Sequence, residues 1–379
     1  MKLWDSLPPP RSGLRAVIIV PVRNEADHLG AALQALIGQT DFLRRPFDRG
    51  SYEVIVLANN CDDESAAIAR RFARECPNFQ LHVVEAALPT ELAHIGYVRR
   101  RLMDEACRRL EIGGCDERAI LSTDGDTRVA QDWLDKTLQE LRTGADAVGG
   151  RIFTDSDQLP SAAALRIRRL DSAHSLLRSR LESLIDGDCD DPWPRHHQHF
   201  GASLAVTANA YRLAGGVPDV PYLEDEALVR ALRRVDLKVR HSPLVRVTTS
   251  SRLEGRVAVG LSWQLRQWSE NPDKHTTRLF ESADCFANAL LARVELRRMW
   301  SRRARTPTLE LDISTICVAE QLGVAPKLVF EAMANANHFG EAWEMIESLY
   351  HESTMAKDWV RLPQALMGLR RLVRDRLAN

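Results

Sequence analysis

Two aspartates spaced two residues apart carry the clearest chemical signal in the chain. Asp124 and Asp126 lie in the segment LSTDGDTRV, directly after a short apolar run that predicts a buried strand. Paired carboxylates at a strand end form a hard oxygen site that suits Mg²⁺ or Mn²⁺, and the cation can in turn hold a diphosphate. An isolated D-x-D more often forms a solvated turn with a helix cap. Its position after the fourth predicted strand shifts the balance toward a metal site.

A second acidic group precedes a predicted helix in the segment LEDEALVRAL. Asp225 lies near the amino end of that helix, where the helix dipole favours an ionised carboxylate. An ionised aspartate within hydrogen-bond reach of an acceptor hydroxyl is what general base catalysis requires. Helix capping is the alternative for Glu224 and Asp225, and without other motifs it would be the more frequent one.

Alternating strands and helices must position these acidic groups. Short β-branched apolar runs predict strands that are buried on both faces, and helical periodicity lies between them. In chain order the predicted elements are strand 16–22, helix 26–37, strand 52–57, helix 65–74, strand 81–84, helix 97–110 and strand 119–122. This alternation predicts an α/β fold with a parallel sheet and ligands at the carboxyl ends of its strands.

The rest of the chain predicts a change from strands to helices. The predicted elements here are strand 146–152, helix 162–185, loop 187–199, helix 226–234 and strands 238–240 and 245–248. Strand signals fade beyond about Arg256, and helical periodicity with charged faces takes over. We therefore expect an irregular proline-rich lead over 1–15, an α/β domain over 16–255 and a helical C-terminal region over 256–379.

Five ordered segments, from about Arg15 to Arg256, resemble glycosyltransferase family 2. They are VPVRNE, VLANNCDDES, GYVRRRLMDEA, TDGD and HFGASLAVTANAYRLAGGVPDVPYLEDEALVRAL. Any one of these segments is a weak signal, whereas five in the right order and spacing are a strong one. The resemblance implies a GT-A (Rossmann-like) fold, a mostly parallel sheet flanked by helices. It also implies metal-dependent, inverting transfer of a sugar from a nucleoside diphosphate sugar to a hydroxyl acceptor.

The resemblance also implies roles for the residues that match the family's motifs. On the donor side, Pro21, Asn24 and Glu25 would line the nucleoside pocket, Asn59 or Asp63 would meet the base, and Arg99 would approach the nucleoside or its phosphates. Asp124 would lie near the ribose or the metal, Asp126 would bind the metal directly, Asp225 would be the base and Glu224 its neighbour.

This sequence departs from the family pattern at two places. Asn59 stands where many relatives have an aspartate at this or the preceding position, and its amide can still pair with uracil. UDP is therefore the expected donor nucleotide, with the base left open. Where relatives often place a histidine, this chain has Thr248 and Thr249. Arg252 and Arg256 lie nearby and would clamp the diphosphate; a surface helix start is an equally good reading of both.

Composition excludes several classes of protein. The 379 residues include 51 basic and 52 acidic side chains and carry a formal net charge of −1, so no global field recruits nucleic acid or an anionic membrane. The seven cysteines are scattered and form no C-x-x-C pair, which favours reduced thiols in the cytoplasm. No signal peptide or membrane-spanning run is visible. We expect a soluble cytoplasmic protein, with peripheral contact at the inner membrane face left open.

Two rival functions and one histidine cluster complete the sequence-based hypotheses. A sugar-phosphate nucleotidyltransferase would need a glycine-rich loop after the first strand, and VPVRNEADHL lacks it. A regulatory DNA-binding protein would use the helix-turn-helix cadence of 318–333, but that segment lacks a basic reading face. His196, His197 and His199 lie in a proline-containing loop and are expected to be solvated. The sugar, the acceptor (lipid-linked or small) and the oligomeric state stay open.

Overall fold

A computed structural model provides the fold, and the chain divides into two compact units. The structure describes residues 3–155, 162–187, 190–252, 278–303, 313–354 and 358–378, together with residues 260, 262, 263, 266 and 267. Unit 1 comprises Met1–Leu159, Gln198–Leu232 and Leu237–Arg266, and unit 2 comprises Pro160–His197, Arg233–Asp236 and Gln267–Asn379. The domain boundary predicted after residue 255 stays a prediction.

Unit 1 alternates strands with helices along most of its length. Its strands are β1 (Ala16–Val22), β2 (Tyr52–Asn59), β3 (Leu81–Ala86), β4 (Ala119–Ser122), β5 (Thr127–Val129), β6 (Ala147–Thr154), β7 (Leu204–Thr207) and β8 (Val239–Thr249). Its helices are α1 (Ala26–Ile37), α2 (Ser65–Glu75), α3 (Ile95–Gly113), α4 (Trp133–Arg142), α6 (Ala208–Leu213) and α7 (Glu224–Arg234), whose last two residues are assigned to unit 2. The helix between α4 and α6 in the chain, α5 (Ala162–Ile185), belongs to unit 2.

One eight-stranded sheet forms the centre of unit 1, in the order β3-β2-β1-β4-β7-β6-β8-β5. The strands β3, β2, β1 and β4 run parallel, as do β6 and β8, whereas β7 is antiparallel to both of its neighbours. The chain leaves β1 toward β2 on one side and returns to β4 on the other. Ligands in open α/β sheets bind at such a switch point, outside the carboxyl ends of the strands. The expected α/β fold, a mostly parallel sheet flanked by helices, is confirmed.

The apolar runs become strands because their side chains are buried on both faces of the sheet. Every residue of β1 and of β2 is buried. Ile18 and Val20 pack on one face with Trp133, while Val17 and Ile19 pack on the other with Leu102 and Leu228. Burial of one such aliphatic side chain stabilises the fold by about 1.5–3 kcal/mol. The two apolar layers therefore hold the carboxyl edge of the sheet in a fixed place.

The sequence predicted two short strands, 238–240 and 245–248, where the structure has the single strand β8. The sequence divides it at Pro243, yet the structure continues one strand from Val239 to Thr249. The pairing with β6 jumps from Gly150 opposite Ser242 to Arg151 opposite Arg246, which leaves three residues of β8 in a bulge. A proline has no amide proton to donate, and a bulge is where a sheet accommodates it.

Unit 2 is mainly helical. Its elements are α5 (Ala162–Ile185), α8 (Ala283–Arg303), α9 (Ile313–Leu322), α10 (Pro326–Asn335), α11 (Phe339–Thr354) and α12 (Leu362–Ala378), with the antiparallel strands β9 (Leu279–Glu281) and β10 (Trp359–Arg361). An apolar core that includes Leu296, Val329 and Ile346 joins α8 to α11. Within the described ranges no single helix is long and apolar enough to cross a membrane; α9 and α10 meet that requirement only together, with a bend of 113° between them.

Buried charges in unit 2 form an ion cluster between α5 and α8. The Nη2 atom of Arg293 is 2.7 Å from Glu182 Oε1, and its Nε atom is 2.8 Å from Asp186 Oδ2. Arg195 also contacts Glu182 and lies 2.9 Å from Asp191 Oδ2. Burial alone would raise the pKa of Glu182, but Arg293 and Arg195 lower it to about 2. Both helices are therefore joined by charged groups that remain ionised.

Two helical glycines of unit 1 are expected to respond in opposite ways to alanine. A Cβ atom at Gly96 in α3 would lie 1.8 Å from the carbonyl oxygen of Val220, whereas a Cβ at Gly30 in α1 would meet nothing within 4 Å. Gly30→Ala should raise the free energy of unfolding by about 0.5–1 kcal/mol. Gly96→Ala should lower it by about 1–3 kcal/mol, because backbone must move. Urea denaturation measures both, and effects of the same sign would contradict this packing.

Candidate active site

Three adjacent strands end in polar turns at one edge of the sheet. Asn24 and Glu25 follow β1, Asn59 is the last residue of β2, and the turn with Asp124 and Asp126 follows β4. The strands β2, β1 and β4 are neighbours and parallel, so their carboxyl ends share an edge. The structure thus brings together turns that are about 100 residues apart in the chain.

The turns after β1 and β2 are bonded to each other. Asn24 adopts a left-handed φ of 56°, and its Oδ1 accepts a 2.8 Å hydrogen bond from the backbone N–H of Asp62. Asp63 accepts from the backbone N–H of Ala26 at 2.9 Å and from that of Ser65 at 3.0 Å. Each carboxylate oxygen of Asp63 therefore meets the amino end of a helix, which gives this side chain a role in joining the two turns.

Pro21 and Asn59 lie within the strands that border these turns. Pro21 is buried in β1 opposite Leu57 of β2. Asn59 is 5% exposed at the end of β2, and the side chain of the next residue, Asn60, bonds to both the N–H and the carbonyl of Leu88. The assignment of Pro21, Asn59 and the neighbouring turns to a nucleoside stays a prediction.

Asp126 is surrounded by hydrogen-bond donors from the end of β8. Its Oδ2 accepts from Ser250 Oγ at 2.8 Å and lies 3.1 Å from Arg252 Nη2. Its Oδ1 accepts from Thr249 Oγ1 at 3.2 Å and from Thr127 Oγ1 at 3.4 Å. The short strand β5 explains this arrangement, because Thr127 pairs with Thr249 and so carries Asp126 to the end of β8.

Arg252 joins the turn after β1 to the turn after β4. Its guanidinium bonds Glu25 through both Nη atoms, with Nη2 2.6 Å from Oε1, and also contacts Asp126. Burial alone would lower the pKa of Arg252, but the bond to Glu25 and the charge of Asp126 raise it above the ordinary value. Arg256, the other arginine expected to clamp a diphosphate, lies outside the described residues.

The oxygen atoms at this edge fit a hard divalent cation. Carboxylates of Asp124, Asp126 and Glu25 and hydroxyls of Thr249 and Ser250 are the donor types that Mg²⁺ and Mn²⁺ prefer. In the described part of the chain, no three His, Cys, Asp or Glu side chains form a complete metal cage. Magnesium in proteins commonly uses one or two carboxylates and completes its shell with water and substrate phosphates. The donor set therefore fits a cation that a diphosphate completes.

Arg99 links the two acidic groups that the sequence singled out. Its Nε donates to Glu224 Oε1 at 2.7 Å and its Nη2 to Asp124 Oδ1 at 3.1 Å. Its Nη1 donates to the carbonyl oxygen of Gly201 at 3.1 Å and also contacts Ser122. The residue is 3% exposed and all three of its nitrogens are engaged. In this arrangement the guanidinium bonds to protein groups, and the expectation that Arg99 approaches the nucleoside or its phosphates stays a prediction.

Gly201 fits closely over that guanidinium. A Cβ atom at this position would lie 2.4 Å from the Nη2 and Cζ atoms of Arg99. The backbone N–H of Gly201 donates to Asp225 Oδ2 at 2.7 Å, while its carbonyl accepts from Arg99. One peptide segment therefore connects Arg99 with the candidate base.

Burial raises the pKa of both candidate aspartates. For Asp124, burial outweighs the opposing charge of Arg99 and, with Asp126 adding to it, raises the pKa to about 6. For Asp225, burial and then Glu224 raise the pKa, against Arg99 and the backbone N–H groups of Gly201 and Glu226. From the sequence we expected the helix dipole to favour the ionised form of Asp225. In the structure, burial and the neighbouring carboxylate of Glu224 favour the protonated form and outweigh the helix dipole.

His199 is a site residue whose role the sequence did not show. Its Nδ1 is 3.0 Å from His241 Nε2, and its Nε2 is 3.0 Å from Glu226 Oε2. His199 is 7% exposed and His196 only 2%, which corrects the expectation of solvated histidines. His199 lies two residues before Gly201 and so anchors the segment that holds Asp225. Its position in the HFGAS segment, which resembles a family 2 motif, was a signal, but nothing in the sequence pointed to His241.

Comparison with known proteins gives one match in sequence and several in structure. No family model matches the chain. The glycosyltransferase AglE of Haloferax volcanii is 26% identical over 136 residues, which is 36% of this chain and 38% of the length of that protein. This match confirms the resemblance to glycosyltransferases, and the assignment to family 2 stays a prediction.

Two solved structures resemble this chain at low identity. One is the mannosyltransferase PcManGT of Pyrobaculum calidifontis in complex with GDP-Man and Mn²⁺, with a TM-score of 0.44, 16% identity and coverage of 100% of this chain and 90% of that one. The other is residues 1–349 of S. aureus TarS in complex with UDP-GlcNAc, with a TM-score of 0.44, 12% identity and coverage of 90% and 93%.

Loss of the Arg99 guanidinium is expected to destabilise the protein strongly. Arg99→Met leaves Glu224, whose side chain is 4% exposed, without its buried cation and should lower the free energy of unfolding by about 3–5 kcal/mol. The neighbouring Arg100 is 39% exposed, and Arg100→Met should change stability by less than about 1 kcal/mol. Chemical denaturation measures both variants.

A double variant separates lost packing from the unpaired charge. Adding Glu224→Gln to Arg99→Met removes the orphaned carboxylate and should recover part of the loss. Equal destabilisation by Arg99→Met and Arg100→Met would contradict a structural role for Arg99.

Proposed function

We propose that the protein is a glycosyltransferase that moves a sugar from a nucleoside diphosphate sugar to a hydroxyl group, with inversion at the sugar carbon and with a divalent cation. The observation that carries this proposal is a chain of contacts along one sheet edge. Asp126 and Arg252 lie at one end of it, Asp225 lies at the other, and Arg99 joins them through Asp124 and Glu224. A sugar transfer needs a group that stabilises the leaving diphosphate and, beside it, a base that removes a proton from the acceptor hydroxyl.

The donor end must stabilise the negative charge that develops on the leaving diphosphate. Asp126 and Asp124 would hold a divalent cation, and that cation supplies Lewis acidity to the departing phosphate oxygens. Arg252 presents a permanently charged guanidinium at the same place, able to bind phosphate oxygens in a bidentate manner. Pro21, Asn24, Glu25, Asn59 and Asp63 form or border the turns on which a nucleoside would rest, with UDP the expected nucleotide and the base left open.

The acceptor end must remove a proton from the attacking hydroxyl. Asp225 is the proposed base, and its two oxygens are oriented by the N–H groups of Gly201 and Glu226. Its raised pKa brings its basicity closer to neutral pH than that of an ordinary aspartate. Glu224 bonds to Arg99 and is 3% exposed, so we propose that it positions Asp225 and does not itself touch the acceptor.

The turn after β1 argues against a nucleotidyltransferase. Such an enzyme would cradle phosphates with free backbone N–H groups at this position. The N–H groups of Asn24, Glu25 and Ala26 instead bond to the side chains of Cys61, Ser65 and Asp63. These three donors are therefore not available to a phosphate loop.

Two substitutions are expected to separate donor binding from turnover. Asp126→Ala should abolish the Mn²⁺-dependent rise in melting temperature that a nucleoside diphosphate produces, because the cation loses its carboxylate. Asp225→Asn should keep that rise and lower the release of nucleoside diphosphate from the sugar donor by about 10²–10⁴-fold. A thermal-shift screen of nucleoside diphosphates and their sugars, with and without Mn²⁺, identifies the donor first.

A carboxylate on the opposite edge of the sheet serves as the matched control. Asp116 is exposed at the amino end of β4, and Asp116→Ala should keep both donor binding and turnover. Full Mn²⁺-dependent stabilisation of Asp126→Ala would show that the proposed cation site is wrong.

The rate of transfer is expected to fall on acidification at a higher pH than an ordinary aspartate would give. Burial raises the pKa of Asp225 above 3.8, so the proton returns to the base, and activity is lost, as the pH falls through that raised value. The measurement is the initial rate of nucleoside diphosphate release against pH, with donor binding followed over the same range by thermal shift. An acid limb at or below pH 3.8 would disagree with a buried base.

A further inference from the structure

The carboxylates at the donor end are already bound by a cation that belongs to the chain. Arg252 contacts Glu25 through both Nη atoms and Asp126 through Nη2. The side chains of Glu25 and Asp126 are 7% and 10% exposed, so their charges lie close together in a poorly hydrated place. Without a positive group between them, two such carboxylates would repel each other.

Arg252 contacts one of the two carboxylate oxygens through which Asp126 would bind a metal. Asp126 Oδ2 accepts from Ser250 Oγ and contacts Arg252, while Oδ1 accepts from the hydroxyls of Thr249 and Thr127. A guanidinium carries five donors, has no lone pair for a metal and stays charged at any ordinary pH. Arg252 in this position therefore competes with a divalent cation for Asp126 Oδ2, by its charge and by its place.

Arg252 is held in a way that permits its release. It follows the end of β8 by three residues, and its Nε is buried without a hydrogen-bond acceptor among the described residues. Arg99 offers a contrast within the same site, because all of its nitrogens are engaged and it is almost fully buried. Of these two arginines, only Arg252 has side-chain surface open to a ligand, 24% against 4%.

We propose that Arg252 is an internal counter-ion of Glu25 and Asp126 and must leave Asp126 before a divalent cation binds there. The inference rests on the proposed donor site at Asp126. Released from Asp126, the guanidinium lies next to the place where the diphosphate charge arrives. The cation alone then binds weakly, because Arg252 loses its ion pair with Asp126. Cation and nucleoside diphosphate together bind strongly, because the diphosphate gives Arg252 a new anionic partner.

The test is a titration of the full chain with Mn²⁺ alone, in which free Mn²⁺ is followed by electron paramagnetic resonance. Arg252→Gln removes the charge and should bind Mn²⁺ about tenfold more tightly than the unsubstituted protein. Arg252→Lys keeps a positive charge and should stay close to the unsubstituted protein. Arg246→Gln is the matched control, because Arg246 is an exposed arginine of β8, the strand that leads to Arg252, and lies six residues before it.

Two further measurements locate the effect and do not depend on one variant. Adding Asp126→Asn to Arg252→Gln should abolish the gain in Mn²⁺ affinity, which places that gain at Asp126. In the unsubstituted protein, a saturating nucleoside diphosphate should tighten Mn²⁺ binding by a similar factor of about ten.

The proposal is overturned if Arg252→Gln binds Mn²⁺ no more tightly than Arg246→Gln, or if Arg252→Lys gains as much as Arg252→Gln. It is also overturned if the nucleotide leaves the Mn²⁺ affinity of the unsubstituted protein unchanged although thermal shift shows that it binds. Failure of the transferase proposal gives a different result. In that case no nucleotide sugar is turned over, while the titrations with Mn²⁺ alone still report on Arg252.

Discussion

The buried guanidinium of Arg99 is the interaction on which the candidate site depends. It lies between Asp124, which follows β4, and Glu224, which begins α7, and it also binds the carbonyl of Gly201. A buried charge is stable only when it is paired and hydrogen-bonded. The buried position of Arg99 is therefore stable only because Asp124, Glu224 and the carbonyl of Gly201 all surround its guanidinium. Arg99 thereby fixes the distance between the turn that carries Asp124 and the start of the helix that carries Glu224.

A second arginine completes the electrostatic balance at the other end. Arg252 neutralises Glu25 and Asp126, as Arg99 neutralises Asp124 and Glu224. The two arginines differ in exposure, because the side chain of Arg99 is 4% exposed and that of Arg252 is 24% exposed. The site thus combines one enclosed ion pair, which supports the geometry, with one pair that is partly open to solvent.

The sequence predicted the strands β1, β2 and β4 and the acidic turns after them, because residues that are buried on both faces leave an unmistakable apolar run. It also predicted the start of the helix that carries Glu224 and Asp225 to within two residues. It did not predict which partners these groups would have. Glu25 and Arg252 are 227 residues apart, and His199 and His241 are 42 residues apart. Such pairs arise from strand order in the sheet, and no local pattern encodes that order.

The bulge at Pro243 sets which side chains at the end of β8 reach Asp126. Side chains alternate between the faces of a strand, so a slip of one residue would turn Thr249, the last residue of β8, away from Asp126. Residues 243–245 take up the mismatch with β6 and keep the end of β8 aligned with β5. A single insertion or deletion there would therefore exchange the inward and outward faces of the strand end, and would disable the site more thoroughly than most substitutions within it.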